Sequence, residues 1–192
     1  METWTQREYA DPVPYLCHRA EVIVSLGPRL EPGDRLLDLA CGDGGLADFL
    51  PGFEYLGVDG NPTMVEEARS KGRGIVEADL NDFEPAEPVA ATSIFRAIYY
   101  TRDRREFLRH VAGYTEKKLV FDLNPRQYRL EDVLADLRDT GWPKVALRPF
   151  FVPQTRALAG PVGKALVAAE RGGPLARLAL RYRFTYLVSA SK

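Results

Sequence analysis

The stretch Arg35-Leu36-Leu37-Asp38-Leu39-Ala40-Cys41-Gly42-Asp43-Gly44-Gly45 decides the fold. Residues 35–40 form a short apolar run broken by one acid, the pattern of a buried strand. Glycines at 42 and 44 then make a turn, and Leu46, Phe49 and Leu50 give a helical pattern after it. On the C-terminal side, residues 53–58 read as a second strand, Asn61-Pro62-Thr63 opens a helix over 64–71, and 74–78 is a third strand. Strand, helix, strand in this order makes a parallel sheet with right-handed crossovers. The alternation goes on with a strand over 91–99, an amphipathic helix over 103–114, a strand over 117–123, a helix over 130–140 stopped by Gly141, and a strand over 144–152. Residues 182–189 alternate as an antiparallel edge, about thirty residues after strand six. On the N-terminal side, Asp11-Pro12 starts a helix with Leu16, Ala20, Ile23 and Val24 on one stripe, ended by Gly27-Pro28. The chain is therefore expected to be one α/β domain over 1–192, with an N-terminal helical lead over 1–33 and an insertion over 153–181.

A length of 192 residues suits one well-cored domain, and the 45% apolar and 28% charged fractions are those of a soluble globular chain. No apolar run approaches the roughly 20 residues of a membrane span, and the polar start Met1-Glu2-Thr3-Trp4 has no secretory pattern, so a cytoplasmic protein is expected. Two cysteines and two histidines in unrelated settings predict neither a disulfide framework nor a metal site. The net charge of -1 disfavours a nucleic-acid partner, yet from Lys144 onward nine basic residues face one acid, a net of +8. That asymmetry predicts a basic surface suited to an anionic substrate or a lipid headgroup.

In a parallel sheet, ligands bind beyond the carboxyl ends of the strands, where the strand order reverses. Gly42 and Gly44 let the backbone pass close beneath a ligand, a pattern shared with dinucleotide sites. Asp38 discriminates better, because an acid there holds a cationic amino group and repels a pyrophosphate. Asp59 ends the second strand, Tyr55-Leu56-Gly57-Val58-Asp59-Gly60-Asn61, where a carboxylate can accept from two vicinal ribose hydroxyls. Glu77-Ala78-Asp79-Leu80-Asn81 ends the third.

The run Leu37-Asp38-Leu39-Ala40-Cys41-Gly42-Asp43-Gly44 resembles the first motif of class I S-adenosylmethionine-dependent methyltransferases, in which the loop wraps the methionine part of the cofactor. The resemblance, which leans toward the ubiquinone-type C-methyltransferase branch, implies a Rossmann-like sheet of seven strands in the order 3-2-1-4-5-7-6, parallel except for the last, with helices on both faces. It implies a cofactor site of Asp38, Ala40, Gly42, Asp43 and Gly44 at the turn, Asp59, Gly60, Asn61 and Met64 at the ribose and adenine, Asp79 and Leu80 at the adenine, and Phe95 and Arg96 beside the methionine.

Tyr99 and Tyr100 then face the acceptor, with Asn124 and Arg126 of Asn124-Pro125-Arg126 beside it. Tyr99, Tyr100 and His18 are the candidate catalytic groups if a base is used; no metal is called for. The expected reaction is in-line methyl transfer to a small acceptor that is apolar, aromatic or lipid-like, and anionic if the basic segment serves it. Two short helices within 153–181 would form a lid, a dimer contact or a face for a membrane surface. The competing readings are an NAD-dependent oxidoreductase and a non-catalytic cofactor-binding module.

Overall fold

The computed structural model describes residues 4–173, Ala176 and residues 185–192. One seven-stranded sheet runs through it in the order β3-β2-β1-β4-β5-β7-β6. At its centre β1 (Arg35–Leu39) pairs in parallel with β2 (Glu54–Asp59) and β4 (Val89–Ile94). β3 (Ile75–Glu77) extends the sheet beyond β2, and β5 (Thr115–Leu123) pairs in parallel with β4. β7 (Tyr186–Ser191) lies antiparallel between β5 and β6 (Lys144–Pro149). This is the expected order, but β7 is an interior strand and not the edge: it is buried throughout, while the first four residues of β6 are partly open to solvent. Antiparallel to both neighbours, β7 leaves β6 parallel to β5, so the chain leaves β6 at the same end of the sheet as the glycine turn.

Both faces of the sheet are covered, which is why its central strands read as near-continuous apolar runs. Leu37, Leu39, Leu119, Phe121 and Val188 point to the face holding α4 (Arg104–Tyr114) and α5 (Leu130–Asp139). Leu36, Ala91, Val120 and Leu187 point to the other, against Leu16, Ala20 and Ile23 of α2 (Pro12–Ser25). α3 (Pro62–Ser70) seats Val65 and Ala68 on Ile75. Asn61 caps α3 by accepting from the Thr63 N–H at 3.0 Å, and Asp103 caps α4 by accepting from the Glu106 N–H at 2.9 Å. The N-terminal residues add a one-turn α1 (Trp4–Glu8).

Three local expectations need correction. The helix expected after the glycine turn is a single 3-10 turn, Gly45–Phe49, because Pro51 follows at once and restricts Leu50 to a non-helical backbone. The strand expected to reach residue 99 stops at Ile94; Arg96 takes a left-handed φ of +56° and Ile98–Tyr100 form a second 3-10 turn. β6 ends at Pro149, short of residue 152. Of the two short helices expected within 153–181, the first is α6 (Gly160–Glu170); the second, over 175–180, lies outside the described residues apart from Ala176, as do residues 182–184 of the last strand.

Candidate functional site

The carboxyl ends of β1, β2, β3 and β4 enclose a cleft of about 890 Å³. Ten of the thirteen residues expected at a cofactor line it: Ala40, Gly42, Asp59, Gly60, Asn61, Met64, Asp79, Leu80, Phe95 and Arg96. Asp59 fixes the floor, since Oδ2 accepts the Gly42 N–H at 2.7 Å and Oδ1 the Asn61 N–H at 2.9 Å. Burial raises its pKa, and those two N–H donors pull it back down. Asp79 stands at the exposed mouth, where the Asn81 N–H, the Asn81 side chain and Arg102 hold its pKa down. Among the described residues, Ala40 (φ +54°) and Arg96 are the non-glycine residues with a left-handed backbone, and both line this cleft. Such backbones cost about 1–3 kcal/mol each and cluster where ligands are clamped.

The other three turn elsewhere. Asp38 lies just behind the cleft, almost wholly buried, accepting from Ser93 Oγ at 2.6 Å and Tyr55 OH at 2.7 Å. The first bond follows from register, because Asp38 and Ser93 are paired across β1 and β4. Burial raises its pKa, opposed by those donors and by Arg19. Asp43 is fully buried and accepts from the Thr5 hydroxyl and the Thr5 N–H, which ties the glycine turn to α1 and not to the cleft. Gly44, at φ +68°, packs toward Ile75, where a Cβ would stand 2.7 Å from Cδ1. These two are therefore structural parts of the turn.

A second cavity of about 490 Å³ adjoins the cleft, and Arg96 and Tyr99 line both. Asn124 lines the second cavity, Tyr100 lines the first, and Arg126 lines neither because it projects into solvent. The Tyr99 and Tyr100 rings stand 4.4 Å apart, and burial together with Tyr100 pushes the Tyr99 pKa up to about 12. His18 is not at either cavity. It is buried with Nε2 2.7 Å from Glu170 and its ring stacked on Phe150, so it joins α2 to α6. Arg148 closes on the same Glu170 carboxylate at 3.1 Å and is buried, so the expected basic surface is in part interior. None of the described residues of α6 lines either cavity. The described residues hold no group of three or more histidine, cysteine or acidic side chains placed for a metal, and both cysteines are free.

Several site residues escaped the sequence reading. Trp4 and Glu8 of α1 line the cleft; Trp4 lies over Gly42 and donates its backbone N–H to Glu67 at 2.7 Å. Arg19 is buried beside Asp38 around a small cavity of about 30 Å³, its guanidinium 4.3 Å from the Phe95 ring and 3.1 Å from Tyr15 OH. Tyr15, Tyr9, Asp122 and Asp38 hold it charged against its burial. Asp122 accepts the Arg96 N–H at 2.6 Å; burial raises its pKa and Arg19 lowers it. The signals were present: Arg19 falls on the stripe of Leu16, Ala20 and Ile23, and Asp122 interrupts an apolar strand near its end as Asp38 does. Trp4 and Glu8 had no periodicity to reveal them.

Residues 37–118 match the family described as "Methyltransferase domain". A trans-aconitate 2-methyltransferase of Escherichia coli O157:H7 is 25% identical over 150 residues, covering 74% of this chain and 58% of that protein. This chain thus spans somewhat over half the length of the curated relatives it matches. The fold matches a chain from the complex between the Haloferax volcanii Trm112 methyltransferase activator and a putative methyltransferase, with TM-score 0.71, 18% identity and coverage of 98% of this chain and 93% of that one. It also matches the magnesium protoporphyrin IX methyltransferase of Synechocystis with bound S-adenosylhomocysteine, with TM-score 0.65, 14% identity and coverage of 100% and 89%. Over residues 37–118 the chain is similar to the methyltransferase domain family, and its fold is the one these methyltransferase structures share. For this methyltransferase fold the matched family is the general one and selects no sub-branch. The antiparallel β7 also separates the sheet from the six-stranded 3-2-1-4-5-6 order of dinucleotide oxidoreductases.

Proposed function

We propose that the chain transfers a methyl group from S-adenosylmethionine to a small, polar acceptor held in the second cavity, and that 1–192 acts as one catalytic domain. The observation that carries this is a donor-sized cleft at the strand ends that opens, across Arg96 and Tyr99, into a separate cavity.

The residues present fit the donor. Gly42 lines the cleft without a side chain of its own, and the Asp38 and Arg19 charges flank a small cavity suited to the opposite charges of an amino-acid end. Asp59 retains acceptor capacity for ribose hydroxyls, and Gly60, Asn61, Met64, Asp79 and Leu80 line the part of the cleft that would take the base. When bound, S-adenosylmethionine supplies an electrophilic methyl group on a positively charged sulfur. The protein's contribution is to orient and enclose the reactants, an effect worth up to about 7–11 kcal/mol in well-aligned systems. Among the described residues lining the two cavities there is no histidine, lysine or cysteine. Tyr99, with its raised pKa, orients the acceptor as a hydrogen-bond donor.

Eight of the twelve residues lining the second cavity carry polar side chains, among them Asn124, Gln127, Gln154 and Thr185. That favours a polar acceptor over a lipid-like one. The segment over 153–181 contributes Pro153 and Gln154 to the cavity wall, so its first residues form part of the acceptor enclosure.

Calorimetric titration with S-adenosylhomocysteine and with NADH tests the donor. Binding of the first alone is expected, with a loss of tenfold or more in Asp59→Asn; binding of NADH instead refutes the reading. Release of S-adenosylhomocysteine over a panel of small acceptors separates an enzyme from a binding module.

A further inference from the structure

Arg96 sits on the partition between the two cavities, immediately beyond β4. Its backbone is left-handed, a conformation a long side chain rarely adopts. The strain is held by the Asp122 carboxylate on its N–H and by the turn that follows at Ile98–Tyr100. The side chain stands on the wall shared by the two cavities. There the guanidinium forms one ion pair, with Glu8 of α1 at 2.9 Å, and Nη1 is buried with no hydrogen-bond partner. Glu8 is itself more than a third exposed. A fork with five donors thus has the partly solvated Glu8 carboxylate and the Tyr9 side chain as partners, with Nη1 left over.

The rest of the second cavity presents the neutral Asn124 and Gln127 amides around this one cation, while the Gln154 amide donates to Glu8. Asp122 shares the wall and would oppose a doubly charged phosphate; a planar monoanion matches one guanidinium and several amides. Glu8, which lines the first cleft, already shows that this guanidinium takes a carboxylate at the partition.

We propose that Arg96 is a specificity-determining residue that anchors a carboxylate of the acceptor, making small carboxylic acids the substrate class. This rests on the methyltransferase reading for its catalytic meaning, but the binding it asserts can be measured apart from that reading. A carboxylate acceptor also suits cavities lined by no histidine, lysine or cysteine among the described residues, since it carries no proton to remove at neutral pH.

The test is calorimetric titration of the full chain, with and without S-adenosylhomocysteine, using benzoate, fumarate and trans-aconitate and their amides. At least one acid should bind, and its amide should bind tenfold or more weakly. Arg96→Gln should weaken the acid by tenfold or more and the amide hardly at all, and Arg96→Lys should restore part of the loss. The proposal is overturned if none of the acids binds, if acid and amide bind alike, or if Arg96→Gln leaves the acid unaffected. A parallel loss of S-adenosylhomocysteine in both variants would place Arg96 on the donor and also overturn it. Failure of the wild type to bind S-adenosylhomocysteine would instead strike the methyltransferase reading, while Arg96-dependent binding of the acid would still uphold this one.

Discussion

Replacing Gly42 by alanine probes the glycine turn, its torsion and the segment laid over it at once. Gly42 has φ +62°, and a Cβ there would stand 3.0 Å from Trp4 Cζ3 and 3.1 Å from Cε3. The left-handed backbone alone costs an alanine about 1–2 kcal/mol. The ring must also give by a few tenths of an ångström, against the Trp4 N–H bond to Glu67 and the Thr5 contacts with Asp43 that hold α1 down. A total loss of about 2–3 kcal/mol is expected, a fall in Tm of roughly 2–4 °C for each kcal/mol in a chain of this size. Urea denaturation should show it as a lower midpoint at constant slope. On a Trp4→Ala background the contact is gone and only the torsional part should remain, giving a coupling of about 1 kcal/mol in the double-mutant cycle. Gly42→Ala should also weaken S-adenosylhomocysteine by tenfold or more, because Gly42 lines the cleft. An unchanged midpoint would refute the torsional argument, an equal loss on both backgrounds would refute the Trp4 contact, and unchanged affinity would remove the turn from the ligand's path.

Gly44→Ala makes the opposite case: its Cβ would meet Ile75 at 2.7 Å, so stability should fall by about 1–3 kcal/mol with S-adenosylhomocysteine affinity held within twofold. Lys118 is buried under the end of α2, donating to the Val24 and Leu26 carbonyls, and burial pushes its pKa down to about 8. The native state then holds fewer protons than the unfolded chain between about pH 8 and 10.5, so stability should rise with pH across pH 8–10 by up to about 2–3 kcal/mol. In Lys118→Met this slope should vanish in denaturation midpoints taken across the window. Glu170 accepts from His18 and the Phe151 N–H and forms an ion pair with Arg148, so Glu170→Ala should cost about 3–5 kcal/mol in chemical denaturation by stranding a buried arginine. His18→Gln should leave turnover within twofold, since His18 lines neither cavity; a hundredfold loss would return it to the chemistry.

The alternating elements from residue 35 to 149 were legible in the sequence because each strand is buried on both faces and each crossover carries its own start and stop signals, such as Asn61-Pro62 and Asp103. Boundaries failed where a local rule cut the pattern short. Pro51 trims the helix after the turn, and the left-handed Arg96 ends β4 inside what reads as a longer apolar run. The strand-end residues that line the first cleft were legible for the same reason as the strands: Asp59, Asp79 and Gly42 sit where an apolar run stops.

What the sequence determined by itself is the first cleft, because it is built from short contiguous segments whose order along the chain is also their order around the cleft. What only the tertiary structure decided is the direction of side chains and the pairing of distant ones. Asp38, Asp43 and Arg19 have their roles set by Ser93, Thr5 and Asp38 in turn, partners between 19 and 55 residues away. His18 reads as a candidate base until a glutamate 152 residues later claims it. The second cavity draws on α2, the ends of β4 and β5, and the chain leaving β6, and no local period links those segments; their meeting is a consequence of β7 entering between β5 and β6.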